Sequence, residues 1–235
     1  MRFLKSLQQD AKLFLYIYIL LMVFRIAFLL IYSGQLSEAR AEDVAAALWL
    51  GARISLKTTA FLVAFPFVFG TIPYAIWGRW PAGRIRAILG SVAVGLMTLL
   101  FVIRIPYYEI FHQGYNIMLF NGMKDDKWAI WGTAVKQYQF WPRLLEAVLL
   151  MVLFIWLLQK ILRTPVWQPQ GHVRIWTGLA IVFVPVFAIF CRFGGAFHSD
   201  SGVPWDRAAR TKYVVLNEAI LDDGQALYRA YSTHE

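Results

Sequence analysis

Four cations in this 235-residue sequence are placed where they could meet a phosphate. Arg25 interrupts the apolar run "VFRIAFLL". An arginine near mid-membrane costs roughly 2.5–3.5 kcal/mol on insertion scales, so it needs a partner or an escape route. Tyr32 follows at about 10 Å along a helix, so the guanidinium has a membrane surface within reach by snorkelling. Two readings stand for Arg25, a packing or snorkelling side chain and a ligand for a lipid phosphate. Arg53 and Lys57, in "GARISLKTTAF", are four apart, which puts both charges on one helix face. Two cations facing one way at head-group depth suit a phosphate, and they suit interfacial anchoring equally. Arg104 and Glu109 flank "IPYY", and Glu146 opens a later apolar run. Either acid can pair with Arg25 or Arg53, and the sequence does not choose between them.

Catalytic chemistry is harder to find. His112, His172, His198 and His234 are too dispersed for a zinc site, and the lone Cys191 lies in an apolar run with no second cysteine to pair with. There is no H-E-x-x-H, P-loop or G-x-S-x-G pattern. Asp125-Asp126 and Asp222-Asp223 have no neighbouring His or Cys and read as solvated surface charge. The expectation is a chain with no catalytic residue, no metal ligand and no cofactor of its own.

The elements that must position the cations are membrane spans. Hydrophobic residues make up 59% of the chain and charged ones 16%, too apolar a balance for an ordinary soluble domain. Five apolar stretches are long enough to cross a hydrocarbon core: about Ala11 to Tyr32, Ser55 to Trp77, Ile85 to Ile103, Leu144 to Leu162 and Ile175 to Phe193. Several aromatic residues cluster at the ends of these runs, as in an interfacial belt. The net charge of +9 is scattered between the runs and forms no stripe, which argues against nucleic acid as a partner and for anionic lipid. "GRWPAGRIR" and "QKILRTPVWQPQGHVR" carry basic residues and no acid, and the start of the chain adds Arg2, Lys5 and Lys12. All three segments fall on one side of a five-span protein, which the positive-inside rule makes cytoplasmic. The amino terminus is then inside and the carboxyl terminus outside. Ser91 and Gly95 offer a small-xxx-small face to a neighbouring helix. The fold class expected is an all-α integral membrane protein. Residues 1–193 form a five-helix domain, and 194–235 form an outer linker and amphipathic helix.

Two outer segments add detail. Glu38 to Asp43 lies in an Ala-rich stretch that predicts a short surface helix, and "YYEIFHQGYNIMLFNGMKDDKWAIWGTAVKQYQFW" predicts interfacial helices. The closing stretch "KYVVLNEAILDDGQALYRAYSTHE" reads as one helix. Leu216, Ile220, Leu227 and Tyr231 lie on one face, and Glu218, Asp222, Asp223 and Arg229 on the other.

Together "LLMVFRIAFLLIY", "LGARISLKTTAFLVAFPFVFGTI", the aromatic segment after "IPYY" and "GVPWDRAARTKYVVLNEAILDDGQALYRAY" resemble the membrane half of the lipoteichoic acid synthase family. The resemblance covers most of the chain, and "LNEAILDDGQALYRA" is its most distinctive part. It implies a place in the bacterial cytoplasmic (inner) membrane. It also implies an extracytoplasmic sulfatase-like catalytic domain that transfers phosphoglycerol or phosphoethanolamine from a membrane phospholipid. The Thr nucleophile and divalent metal of that chemistry would belong to the catalytic domain and to no residue here. On this reading the present chain anchors that domain, and Arg53 and Lys57 contact the lipid head group first, with Arg25 and Arg104 behind them. The competing expectation is a stand-alone scaffold or regulatory subunit that docks another chain.

Overall fold

A computed structural model describes residues 1–116, 140–167, 171–203 and 211–232. Those residues are mostly helical, with no strand among them. In chain order the helices are α1 (Arg2–Ile31), α2 (Ala41–Pro66), α3 (Ile72–Trp77), α4 (Ala82–Phe111), α5 (Phe140–Arg163), α6 (Val173–Arg192), α7 (Val214–Ile220) and α8 (Asp223–Ser232). Five helical stretches are long and apolar enough to cross a membrane, with α2 and α3 counting as one. Leu149, Val152 and Trp156 on α5 and Val182 and Phe183 on α6 point outward and are exposed. Such continuous apolar flanks are what a bilayer covers in a multi-pass membrane protein.

The helices run past the apolar stretches that announce them. α1 starts at Arg2, because Ser6 and Asp10 are buried beside the core and not left at a polar surface. α2 starts at Ala41, where Glu42 and Asp43 in the first turn complement the helix dipole. The short surface helix expected over Glu38 to Asp43 is therefore the first turn of α2, preceded by one 3-10 turn at Ser33–Leu36. Between α2 and α3 lies a π-helical turn, Phe67–Thr71, immediately after Pro66. Proline cannot donate to the preceding turn, and the wider turn re-aims the residues that follow. Gly78, at φ +71°, ends α3 in the left-handed conformation that favours glycine. Most of the expected interfacial helices, and Asp125-Asp126, fall at 117–139, outside the described residues.

α1, α2 and α4 form the centre of the bundle. Phe24 of α1 stacks on Phe101 of α4, with ring centroids 4.4 Å apart and planes 4° from parallel. Phe28, Tyr32 and Tyr108 close the same seam. α5 packs against α4 along the small-residue face: Gln159 Nε2 donates to Ser91 Oγ at 2.9 Å, and Gly95 faces Met151 and Ile155. α6 is peripheral, and only Cys191 on it is buried.

Each end of the bundle is pinned by polar side chains. At the amino-terminal end, Arg86 Nε of α4 pairs with Asp10 Oδ1 of α1 at 2.5 Å. Arg86 Nη2 donates to Ser6 O, Ser6 Oγ and Thr71 Oγ1, and the Thr71 hydroxyl donates to Asp10. Lys12 Nζ of α1 holds Thr164 O and Pro165 O beyond α5. The carboxyl-terminal end is where the four candidate cations lie.

Candidate functional site

α7 is a seven-residue helix, too short to persist alone, and its last turn leaves carbonyls with no intrahelical donor. Two arginines from the membrane helices supply the donors. Arg104 Nη2 donates to Glu218 O at 2.6 Å and Nη1 to Leu221 O at 3.3 Å. Arg25 Nε donates to Ala219 O at 2.8 Å and Nη2 to Ile220 O at 3.3 Å. Four consecutive carbonyls are thus satisfied by two guanidinium groups, at the helix end where positive charge is favourable.

The chain then bends at Leu221, which is extended, and α8 begins at once. Asp222 caps α8: its Oδ1 accepts from Gln225 N at 3.0 Å, and its carbonyl accepts from Ala226 N. The same carboxylate accepts from Thr58 Oγ1 at 2.9 Å and from Ser55 Oγ at 3.2 Å, both on α2. Ser55 Oγ in turn accepts from Arg25 Nη2 at 2.8 Å, so this hydroxyl relays between Arg25 and Asp222. Asp223, in the first turn of α8, pairs with Arg104 Nη1 at 3.0 Å. The Arg104 guanidinium also lies over the Phe28 ring, 4.2 Å from its centroid.

The whole arrangement is dry. Arg25 and Arg104 are each 3% exposed, Asp222 5% and Asp223 2%. Burial pushes the Asp223 carboxyl above its usual range, and the neighbouring Arg104 opposes the shift. Asp222 and Asp223 are therefore not the solvated surface charge the sequence indicated. The closing stretch is likewise not one helix with a polar outer face. It is two short helices whose junction is drawn in between α1, α2 and α4. Arg25 lies about 9 Å inside the end of α1 at helical rise, and the bent backbone it reaches is surrounded by protein donors.

Arg53 and Lys57 serve the segment just before this junction. α6 ends on Gly194 and Gly195, both with positive φ. Arg53 Nε donates to Gly194 O at 2.6 Å and Nη2 to Ser201 O at 2.7 Å. Lys57 Nζ donates to Val203 O at 2.5 Å. A side chain at Gly194 would come within 3.0 Å of the Arg53 carbonyl, so α2 and the end of α6 meet backbone to backbone. Glycine is needed a second time at Gly51 of α2, where a Cβ would lie 2.6 Å from Arg25 Cζ.

All four cations singled out in the sequence thus gather at one end of the bundle, and each donates to the segment that follows α6. Arg53 and Lys57 are half-buried and keep some surface, whereas Arg25 and Arg104 keep almost none. Glu109 and Glu146, the acids considered as partners for Arg25 and Arg53, lie instead near Arg143, at 4.0 and 3.2 Å. The acids that do join this cluster are Asp222, linked to Arg25 through Ser55, and Asp223, paired with Arg104. Asp222 carried a legible signal: Asp222-x-x-Gln225 is the spacing of a capping box, which marks a new helix. The Asp10–Arg86 pair gave no such signal, since Arg86 was one of several basic residues in a basic connection. Among the described residues no three His, Cys, Asp or Glu side chains gather as a metal site would require.

No family model, no curated protein and no solved structure matches this chain.

Proposed function

We propose that this chain is a membrane anchor that mounts its carboxyl-terminal helices rigidly at the outer face of a bacterial cytoplasmic membrane. The observation that carries the reading is the capping of Glu218, Ala219, Ile220 and Leu221 by Arg25 and Arg104. A connector held by four carbonyl bonds and a buried ion pair passes on position and orientation, where a flexible tether would pass on only proximity. The basic, acid-free connections at the opposite end support an inside amino terminus and an outside carboxyl terminus.

The sequence patterns shared with the lipoteichoic acid synthase family give the mount a purpose. On that reading it carries a catalytic domain that transfers phosphoglycerol or phosphoethanolamine from a phospholipid, with the metal and nucleophile residing in that domain. Arg53 and Lys57, the half-buried pair, then lie nearest to a lipid head group arriving from the outer leaflet. The resemblance rests on those patterns alone.

Purification from the native membrane tests the proposal. A species heavier than 27.1 kDa with phospholipid-dependent transfer activity supports the transferase mount. A 27.1 kDa species that carries a separate tightly bound chain makes it a docking scaffold, and one that carries nothing overturns the mounting role. Alkaline phosphatase fused after Ser232 is expected to be active, and fused after Gly171 inactive. The reverse pattern overturns the orientation.

A further inference from the structure

The far end of the bundle holds a cavity that the proposed role does not use. It has a volume of about 300 Å³ and opens between the first turns of α1 and the start of α4. Lys5, Gln9, Tyr74, Trp80, Arg84 and Val166 line it, together with Arg86, whose partner Asp10 lies behind it. Asp10 neutralises Arg86, and among the described residues no carboxylate lines the cavity, which leaves Lys5 and Arg84 as its charges. Neither side chain makes a hydrogen bond or ion pair within the described residues. By contrast Trp80 is fixed, because its indole N–H donates to Phe69 O at 2.8 Å and its ring leans on Trp77.

Three further observations bear on what the cavity would take. Gln9 lines the cavity and its buried Oε1 has no hydrogen-bond partner among the described residues, so a turn of this side chain offers an acceptor to a hydroxyl or ammonium donor. α4 has no side-chain cap and no acid in its first turn, so the positive end of its dipole adds to Lys5 and Arg84. Trp77, Trp80, Trp167 and Trp176 are all exposed at this end, as tryptophans are at a head-group boundary.

We infer that this cavity binds the phosphate of an anionic phospholipid head group, with Lys5 and Arg84 on the phosphate and Gln9 accepting from the rest of the head group. The opening among exposed tryptophans favours a lipid over free phosphate, and the test separates the two.

The intact chain, purified in detergent, is titrated with phosphatidylglycerol or phosphatidylcholine and read by native mass spectrometry. Inorganic phosphate is read separately by ³¹P line broadening. Preferential retention of phosphatidylglycerol is expected, with about a tenfold loss in the Lys5→Gln/Arg84→Gln variant. The control Arg79→Gln/Arg163→Gln, which removes two charges at the same end outside the cavity, is expected to stay within about twofold. If phosphatidylglycerol is not preferred but phosphate broadening depends on Lys5 and Arg84, the site stands and its ligand is free phosphate. An equal loss in the control, or no change in either arm for Lys5→Gln/Arg84→Gln, overturns the site. Should that double variant melt early, the exposed Arg84→Gln alone carries the test, with about a threefold loss expected.

Discussion

Replacing Arg25 with methionine keeps most of the side-chain volume and removes every donor. Ala219 O, Ile220 O and Ser55 Oγ then lose their donor, and Asp222 loses the charge relayed through Ser55. Breaking a buried, hydrogen-bonded charge network on one side costs about 3–5 kcal/mol, most of it from groups left unpaired. At about 1.4 kcal/mol per tenfold, the opening of the α7–α8 junction rises between about a hundredfold and a few thousandfold. Ala226 reports that opening, because it is fully buried beyond the junction. In a background with Cys191 changed to alanine, a cysteine at position 226 is labelled with a membrane-impermeant maleimide. Arg25→Met is expected to raise the labelling rate by at least about a hundredfold, and Arg25→Lys by less, since one ammonium can still reach a carbonyl. Arg143→Gln, which removes only partly exposed ion pairs, is expected to stay within about threefold. A rate for Arg25→Met within threefold of the parent would show that packing, and not the carbonyl cap, holds the segment.

Three other perturbations probe the same architecture. Gly51→Ala places a Cβ against the Arg25 guanidinium and is expected to open the junction by at least tenfold in the same labelling assay. Asp222→Ala removes the cap of α8 and the acceptor of Ser55 and Thr58, which adds roughly 0.5–2 kcal/mol of capping to the loss of a buried network. Its labelling rate should approach that of Arg25→Met, and a rate near the parent would refute the capping role. At the amino-terminal end, Arg86→Met is expected to cost about 3–5 kcal/mol in thermal unfolding in detergent, and adding Asp10→Leu to recover most of it. A double variant no more stable than the single one would mean that Asp10 is held by Ser6 and Thr71 without Arg86.

The five spans were legible because length and apolarity are summed over some 20 residues, so no single residue decides them. Their true starts were not, because Ser6 and Asp10 look like surface until their partners are known, and Glu42 and Asp43 are surface acids that open a helix continuous with the span. Arg25, Arg53, Lys57 and Arg104 stood out as costly or co-facial cations, and the structure does bring them to one end. What they hold was hidden for a physical reason. The partners of Arg25 lie 194 and 195 positions away, and they are backbone carbonyls, which every residue possesses and no sequence pattern marks. A continuous 3.6-residue period also carried the closing stretch through Leu221, although Asp222-x-x-Gln225 announced a restart.

The distance in sequence between Arg25 and its carbonyls is also an interval in time. At roughly 5–20 residues per second, about 10–40 s separate the synthesis of the first span from that of Ala219 and Ile220. Arg104 waits 114 positions for the Glu218 carbonyl, and it waits in the same bundle. Through that interval the growing chain holds two guanidinium groups without their carbonyl acceptors, and α7 is the segment that relieves both. Synthesis of the α7–α8 segment is thus the step that completes the caging of Arg25 and Arg104. A chain released before Val214 would present the membrane's proteases with two orphan charges.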